Sequence, residues 1–333
     1  MNHTVSAELL SASAIAVRDC MGATPGETVL IVTDEPLRSI GYALRQAAKD
    51  LGHEVVLVEM LPRLTNGAEP PAPIADLMTK MDVVLCPTSK SLTHTDARRA
   101  ASAAGVRVGT LPGVTEDIMV RCMNADYTRI AARTATLCAL MEQTKTVRVQ
   151  APAGTDITMS IEGRHAHASN GLFRHKGEWG NLPTGEAYLA PLEGRSNGVV
   201  VVDGSMAGIG LVSSPLRIVV RDGYAEEITG GAEAQRLVAL LDPHGRDART
   251  VAEFGIGTND RARLTGVILE DEKVMGTIHI ALGDNKSMGG SVRVASHLDG
   301  LVTKPTVWFD DRKIMDAGRF VGGTSVGSRV LGF

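Results

Sequence analysis

Two histidines and an aspartate lie within about twenty residues of each other in the C-terminal half of the chain, on apolar segments bordered by glycine. His279 lies between Gly276 and Gly283, and His297 and Asp299 follow. Alternate residues of a strand share one face, so His297 and Asp299 can reach the same ion. A surface histidine beside a turn aspartate is the alternative. We predict that this trio forms part of a metal site.

Two glutamates occupy similar settings. Glu186 lies between Gly185 and Pro191 among apolar neighbours, and Glu253 begins an apolar run that contains further glycines. A carboxylate in such surroundings must be paired, protonated or bound to a cation. Unless these glutamates are exposed in turns, they complete a set of five candidate metal ligands: Glu186, Glu253, His279, His297 and Asp299.

A second histidine cluster predicts contacts with substrate rather than with metal. His165 and His167 lie in a polar loop with Arg164 and Lys176, whose charges would repel a cation. Asn259, which follows the apolar run of Glu253, either binds substrate with these histidines or only forms a turn.

The segments that must position these residues change character near residue 145. Residues 1–145 alternate β-branched runs with helical patterns, which predicts an α/β domain with a doubly wound parallel sheet. The predicted strands are 27–33, 54–59, 82–86 and 106–110. The turn after the first strand is acidic at Asp34 and Glu35, where a dinucleotide phosphate would require glycines, so a nucleotide site is rejected.

Residues 146–333 predict a second, β-rich α+β domain that carries the metal site. Short alternating segments are separated by Gly, Asn, Asp and Pro, as in antiparallel sheets. The predicted strands are 146–149, 156–161, 198–203, 216–221 and 224–228, with one helix at 232–241.

Composition excludes several classes of protein. A chain of 333 residues with a net charge of −4 and no basic cluster does not predict nucleic-acid binding. No apolar run approaches the roughly 20 residues that a bilayer requires, so we expect a cytoplasmic protein with a small-molecule or short-peptide substrate. The four dispersed cysteines predict free, buried thiols.

Four motifs in order resemble the thermophilic aminopeptidases, metallopeptidases of the aminopeptidase T and S type. They are Pro-Thr-Gly-Glu186-Ala-Tyr, Glu253-Phe-Gly-Ile-Gly-Thr-Asn, Gly-Thr-Ile-His279-Ile-Ala-Leu-Gly-Asp and His297-Leu-Asp299, and the similarity covers most of residues 150–315. The resemblance implies that the five candidate ligands hold a pair of Zn, Co or Mn ions in a homodimeric enzyme. A tyrosine that this family carries after the glycine of the His motif is missing from residues 284–288.

The chain also resembles the 2,5-dihydroxypyridine 5,6-dioxygenases of nicotinate degradation. This similarity includes Gly289-Gly290, His297-Leu298-Asp299 and Phe309-Asp310-Asp311. It implies one Fe(II) held by two histidines and an aspartate, with open positions for O₂ and substrate. The first of those histidines corresponds to Glu253 in this chain.

The ligand set favours a metal-dependent hydrolase that uses one or two divalent ions. In this hypothesis a metal-bound hydroxide cleaves an N-terminal residue or a small amide, and Glu186 or Glu253 transfers the proton. The alternatives are an Fe(II)-dependent dioxygenase that cleaves a hydroxylated pyridine or aromatic ring, and a non-catalytic binding protein with a vestigial site.

Overall fold

The computed structural model describes residues 5–321, together with the backbone of 325–326 and 329–330. The chain forms two compact units. The first consists of Met1–Thr128 and Gly171–Thr184, and the second of Arg129–Asn170 and Gly185–Phe333.

The helices and strands are numbered in chain order. The α-helices are α1 (Ala7–Ile15), α2 (Arg38–Asp50), α3 (Ala72–Met78), α4 (Asp96–Ala103), α5 (Glu116–Met123), α6 (Tyr127–Met141), α7 (Ala232–Leu241) and α8 (Ile268–Asp271). The strands are β1 (Thr28–Asp34), β2 (Glu54–Met60), β3 (Val83–Cys86), β4 (Arg107–Thr110), β5 (Thr146–Gln150), β6 (Asp156–Ser160), β7 (His167–Ser169), β8 (Trp179–Asn181), β9 (Glu186–Leu189), β10 (Ser196–Val202), β11 (Ser205–Met206), β12 (Gly210–Leu211), β13 (Leu216–Arg221), β14 (Tyr224–Thr229), β15 (Val251–Gly257), β16 (Ile278–Gly283), β17 (His297–Val302), β18 (Thr306–Phe309), β19 (Arg312–Asp316), β20 (Arg319–Phe320), β21 (Ser325–Val326) and β22 (Arg329–Val330).

The first unit contains a parallel sheet in the order β2-β1-β3-β4-β8, which confirms the predicted α/β class. Strand β1 is buried along nearly its whole length because its β-branched residues face apolar neighbours on both sides. Thr95 caps α4 by accepting a hydrogen bond from the backbone N of Arg98 at 3.2 Å. Strand β8 was not predicted, since three residues carry no periodic pattern.

The second unit contains two antiparallel sheets, which confirms the predicted β-rich class. Their orders are β14-β13-β10-β6-β5-β18-β19-β20 and β12-β11-β17-β16-β15-β9-β7. One hydrophobic cluster takes Val147 and Val200 from the first sheet and Phe254 and Ile280 from the second. The two sheets therefore pack on each other across a shared core.

The division into units differs from the predicted boundary at residue 145 in two places. The part of α6 from Arg129 onward belongs to the second unit, where Leu137 and Met141 join the hydrophobic cluster. Residues 171–184 return to the first unit, where β8 extends the parallel sheet. Both assignments depend on long-range packing, and the last residues of the predicted second domain lie outside the described part.

The four cysteines are buried and form no disulfide, as predicted: Cys20, Cys86, Cys122 and Cys138. None of the helices in the described ranges combines the length and the apolar character that crossing a bilayer requires.

Candidate metal centre

Four neighbouring strands of the second unit present the five candidate ligands on one face of their sheet. Directly opposed residues of antiparallel strands point to the same side. The pairs that define this face are Glu186 with Gly257, Tyr188 with Gly255, Gly255 with His279, Glu253 with Ala281, Ala281 with Asp299, and Gly283 with His297. Intervening residues such as Phe254 and Ile280 face the hydrophobic core instead.

Small residues leave the centre of this face open. A Cβ atom on Gly255 would lie 2.8 Å from His279 Cδ2 and closer still to Nε2. On Gly257 it would lie 2.6 Å from the carbonyl carbon of Val274. Gly255 thus leaves room for the His279 ring on the face of β15. Gly257 leaves room for the backbone of the segment that precedes β16.

Glu253, His297 and Asp299 form the first of two candidate ligand groups, called here the Glu253 group. One ligand atom from each residue lies within 4.8 Å of the others. His297 Nε2 is 3.1 Å from Glu253 Oε2 and 3.4 Å from Asp299 Oδ1. His297 Nδ1 donates to the backbone carbonyl of Asp284 at 2.7 Å, which leaves Nε2 to face the carboxylates.

Glu186, Glu272 and His279 form the second candidate group, the Glu186 group. One ligand atom from each of these residues also lies within 4.8 Å of the others. His279 Nε2 lies 3.5 Å from Glu186 Oε2 and 3.1 Å from Glu253 Oε1, so it joins the two groups. The ammonium of Lys273 lies 2.7 Å from Glu186 Oε1 and also forms an ion pair with Glu272.

Burial and neighbouring charges shift the pKa values of these residues in opposite directions. Burial raises the pKa of Glu253, but hydrogen bonds from His279 and His297 outweigh it and hold the pKa well below its ordinary value. Burial lowers the pKa of His279, whereas Glu253 and Glu186 raise it to about 9. Burial raises the pKa of Glu272 to about 8 despite the opposing charge of Lys273. The site therefore favours positive charge at its imidazoles, and a metal ion would supply that charge instead.

The residues present fit a divalent cation. Carboxylate and imidazole donors suit Zn, Mn, Co or Fe(II). The Nδ1 donation of His297 to a carbonyl is the arrangement that commonly orients a metal-binding histidine. Glu186 Oε2 is a buried acceptor to which no residue in the described ranges donates a hydrogen bond. These observations support a divalent metal as cofactor, whereas the role of each individual ligand remains a prediction.

The residues predicted to contact substrate have different environments. His167 lies on the same face opposite Tyr188, and the two rings stack with centroids 5.3 Å apart. His165 is 76% exposed, and its Nδ1 lies 2.6 Å from Glu142 Oε1. Asn259 is fully buried, and its Oδ1 accepts a hydrogen bond from the backbone N of Arg261 at 2.9 Å. Its side chain thus stabilises the turn after β15, and contact of Asn259 with substrate stays a prediction.

Sequence reasoning missed Glu272, Lys273 and Tyr188. The first two belong to the charged run 270–273, which is typical of a solvated surface. Tyr188 could have been found, because it lies two residues after Glu186 and must share its face of a strand. Burial raises the pKa of Tyr188, and the charge of Glu186 adds to this effect, so its phenol stays neutral.

Comparison with known proteins identifies a matching protein family and a curated relative. Residues 16–322 match the family model of 2,5-dihydroxypyridine 5,6-dioxygenase. The 2,5-dihydroxypyridine 5,6-dioxygenase of Pseudomonas putida is 24% identical over 203 residues, which are 55% of this chain and 56% of that protein. The match therefore spans little more than half of the curated relative.

Two solved structures share the fold. The 2,5-dihydroxypyridine dioxygenase from Pseudomonas putida has a TM-score of 0.79 at 18% identity and covers 94% of this chain and 96% of its own. Wild-type AmpT from Thermus thermophilus has a TM-score of 0.68 at 18% identity and covers 94% of this chain and 99% of its own. At these identities the likeness concerns the fold alone.

Proposed function

Since the chain belongs to the 2,5-dihydroxypyridine 5,6-dioxygenase family, we propose that it is a metal-dependent dioxygenase that opens a hydroxylated nitrogen-containing aromatic ring. This function replaces the hydrolase that the ligand set alone favoured, because the family match extends over residues 16–322. The observation that best supports the proposal is the Glu253 group, in which two carboxylates and one imidazole lie close together. All three residues lie within the range that matches the family model.

In this proposal Glu253, His297 and Asp299 hold a single Fe(II). Bound iron supplies coordination positions for O₂ and for a substrate hydroxyl oxygen. The sheet supplies rigidity: Glu253 on β15 and His297 and Asp299 on β17 flank the central strand β16, and the carbonyl of Asp284 fixes the orientation of the His297 ring. The donor set contains one histidine and two carboxylates, whereas the common triad of such oxygenases contains two histidines and one carboxylate.

Other residues of the face provide contacts suited to a flat, hydroxylated ring. The stacked rings of His167 and Tyr188 offer an aromatic surface beside the ligands. Tyr188 carries a neutral phenol that can donate a hydrogen bond to a ring substituent. Among the described residues none donates a hydrogen bond to Glu186 Oε2, so we assign it to accept the proton of a substrate hydroxyl.

The test uses protein loaded with Fe(II) under anaerobic conditions and then mixed with 2,5-dihydroxypyridine and O₂. We expect consumption of one O₂ for each substrate ring, measured with an oxygen electrode and by loss of the ring absorbance. Asp299→Ala should reduce the rate at least about a hundredfold. Asp316→Ala removes an exposed carboxylate on β19 and should retain the rate. Absence of oxygen uptake with 2,5-dihydroxypyridine and with other hydroxypyridines would refute the proposal.

An aminopeptidase-type hydrolase is the second candidate, because the Glu186 group provides further ligands beside the Glu253 group. The shared fold of AmpT, a thermophilic aminopeptidase T, is consistent with it. Protein loaded with Zn, Co or Mn and assayed on aminoacyl p-nitroanilides tests this candidate, since hydrolysis would release nitroaniline without O₂. The homodimer that we also propose can be checked by sedimentation velocity.

A further inference from the structure

A lysine ammonium lies inside the Glu186 group. The Lys273 side chain is only 3% exposed, and its Nζ contacts carboxylate oxygens of Glu186 and Glu272. A buried ammonium is costly unless it is paired, and here two carboxylates pair it. A positive charge that belongs to the chain therefore already lies between these two carboxylates.

The backbone holds Lys273 in this position. Its N donates to Glu270 O at 2.9 Å, and its carbonyl accepts a hydrogen bond from Asn259 N at 2.9 Å. A Cβ on Gly257 would come within 2.8 Å of the Lys273 carbonyl carbon, so only glycine lets this segment approach β15 so closely. Backbone contacts thus hold Lys273, which lies in the turn between α8 and β16, close to strand β15.

Charge balance favours one metal ion over two. Among the described residues of this face, four carboxylates (Glu186, Glu253, Glu272 and Asp299) accompany the single ammonium of Lys273. With neutral imidazoles and all four carboxylates ionised the set carries three net negative charges, and one divalent ion reduces this to one. A second ion would compete with the ammonium for Glu186 and Glu272, and the two cations would repel each other at short range.

We propose that the Lys273 ammonium takes the place of a second metal ion, so that the chain binds one divalent ion, on the Glu253 group. This inference rests on the metal dependence of the proposed function and gives a reason why a chain with an aminopeptidase-like ligand set would act with a single ion. Lys273 is a positioning residue, since it fixes the carboxylates of the Glu186 group and does not contact the proposed ion.

The experiment counts Mn²⁺ ions on the full-length protein by calorimetric titration and by electron paramagnetic resonance. Wild type should bind one Mn²⁺ and show the six-line spectrum of an isolated ion. Lys273→Gln removes the charge and should bind two, with the spectrum of a spin-coupled pair. Lys273→Arg keeps the charge and should bind one, as wild type does.

Two Mn²⁺ ions on wild type would overturn the inference, and this measurement does not require any variant to fold. Binding of only one ion by Lys273→Gln with a native circular dichroism spectrum would overturn it as well. The proposed function is tested separately. If wild type binds one ion but consumes no O₂, the role of Lys273 is supported and the dioxygenase function is refuted.

Discussion

Replacement of Gly255 by alanine is expected to displace the His279 imidazole and to destabilise the second unit. The new Cβ would lie 2.8 Å from His279 Cδ2 and closer to Nε2, well inside the roughly 3.5–4.0 Å of a favourable contact. His279 is fully buried, so its ring can move only by disturbing its contact with Glu253.

The magnitude follows from two opposing effects. Overpacking in a buried site costs about 1–3 kcal/mol. Alanine recovers up to about 1 kcal/mol through the lower entropy of the unfolded chain. A net loss of about 1–2 kcal/mol should lower Tm by about 2–8 °C for a unit of this size. Loss of the hydrogen bond between His279 and Glu253 should weaken metal binding by up to about tenfold.

A double-mutant cycle provides the matched control. Thermal unfolding is followed by circular dichroism for wild type, Gly255→Ala, His279→Ala and the double variant. In the His279→Ala background the added Cβ meets no ring, so Gly255→Ala should cost almost nothing there. An equal penalty in both backgrounds would show that overlap with His279 is not the cause, and the reasoning would be refuted.

Three further predictions concern stability. Phe254→Ala should cost about 3–5 kcal/mol in urea unfolding, because this fully buried ring lies in the shared core; a loss below 1 kcal/mol would contradict the packing. Mn²⁺ at about 100 times its Kd should stabilise wild type by about 2.7 kcal/mol; EDTA should reverse this gain, and Asp299→Ala should not show it. Burial raises the pKa of Glu193, but hydrogen bonds from Ser291 and Asn285 and the charge of Arg164 lower it to about 2. The pKa of Glu193 is lower in the folded than in the unfolded chain, so about 1–2 kcal/mol of folding stability present above pH 4.5 should be lost as the pH falls toward 2. The unfolding free energy of Glu193→Gln should lack this dependence on pH.

The sequence by itself determined the elements that carry the site. The continuous β-branched run of residues 27–33 predicted β1, because a strand buried on both faces requires apolar residues at every position. The two-residue spacing of His297 and Asp299 determined that they share a face. These features depend only on near neighbours in the chain, so they can be read without knowledge of the fold.

The tertiary structure alone decided which strands are neighbours and what lies between them. The order of β9, β15, β16 and β17 brings Glu186 to His279 across Gly255, although more than ninety residues separate them in the chain. Lys273 lies in a charged run that is typical of a surface, yet the close approach of its backbone to Gly257 buries its ammonium among carboxylates. Strand pairing and close backbone contact depend on residues far apart in sequence, so local patterns do not encode them.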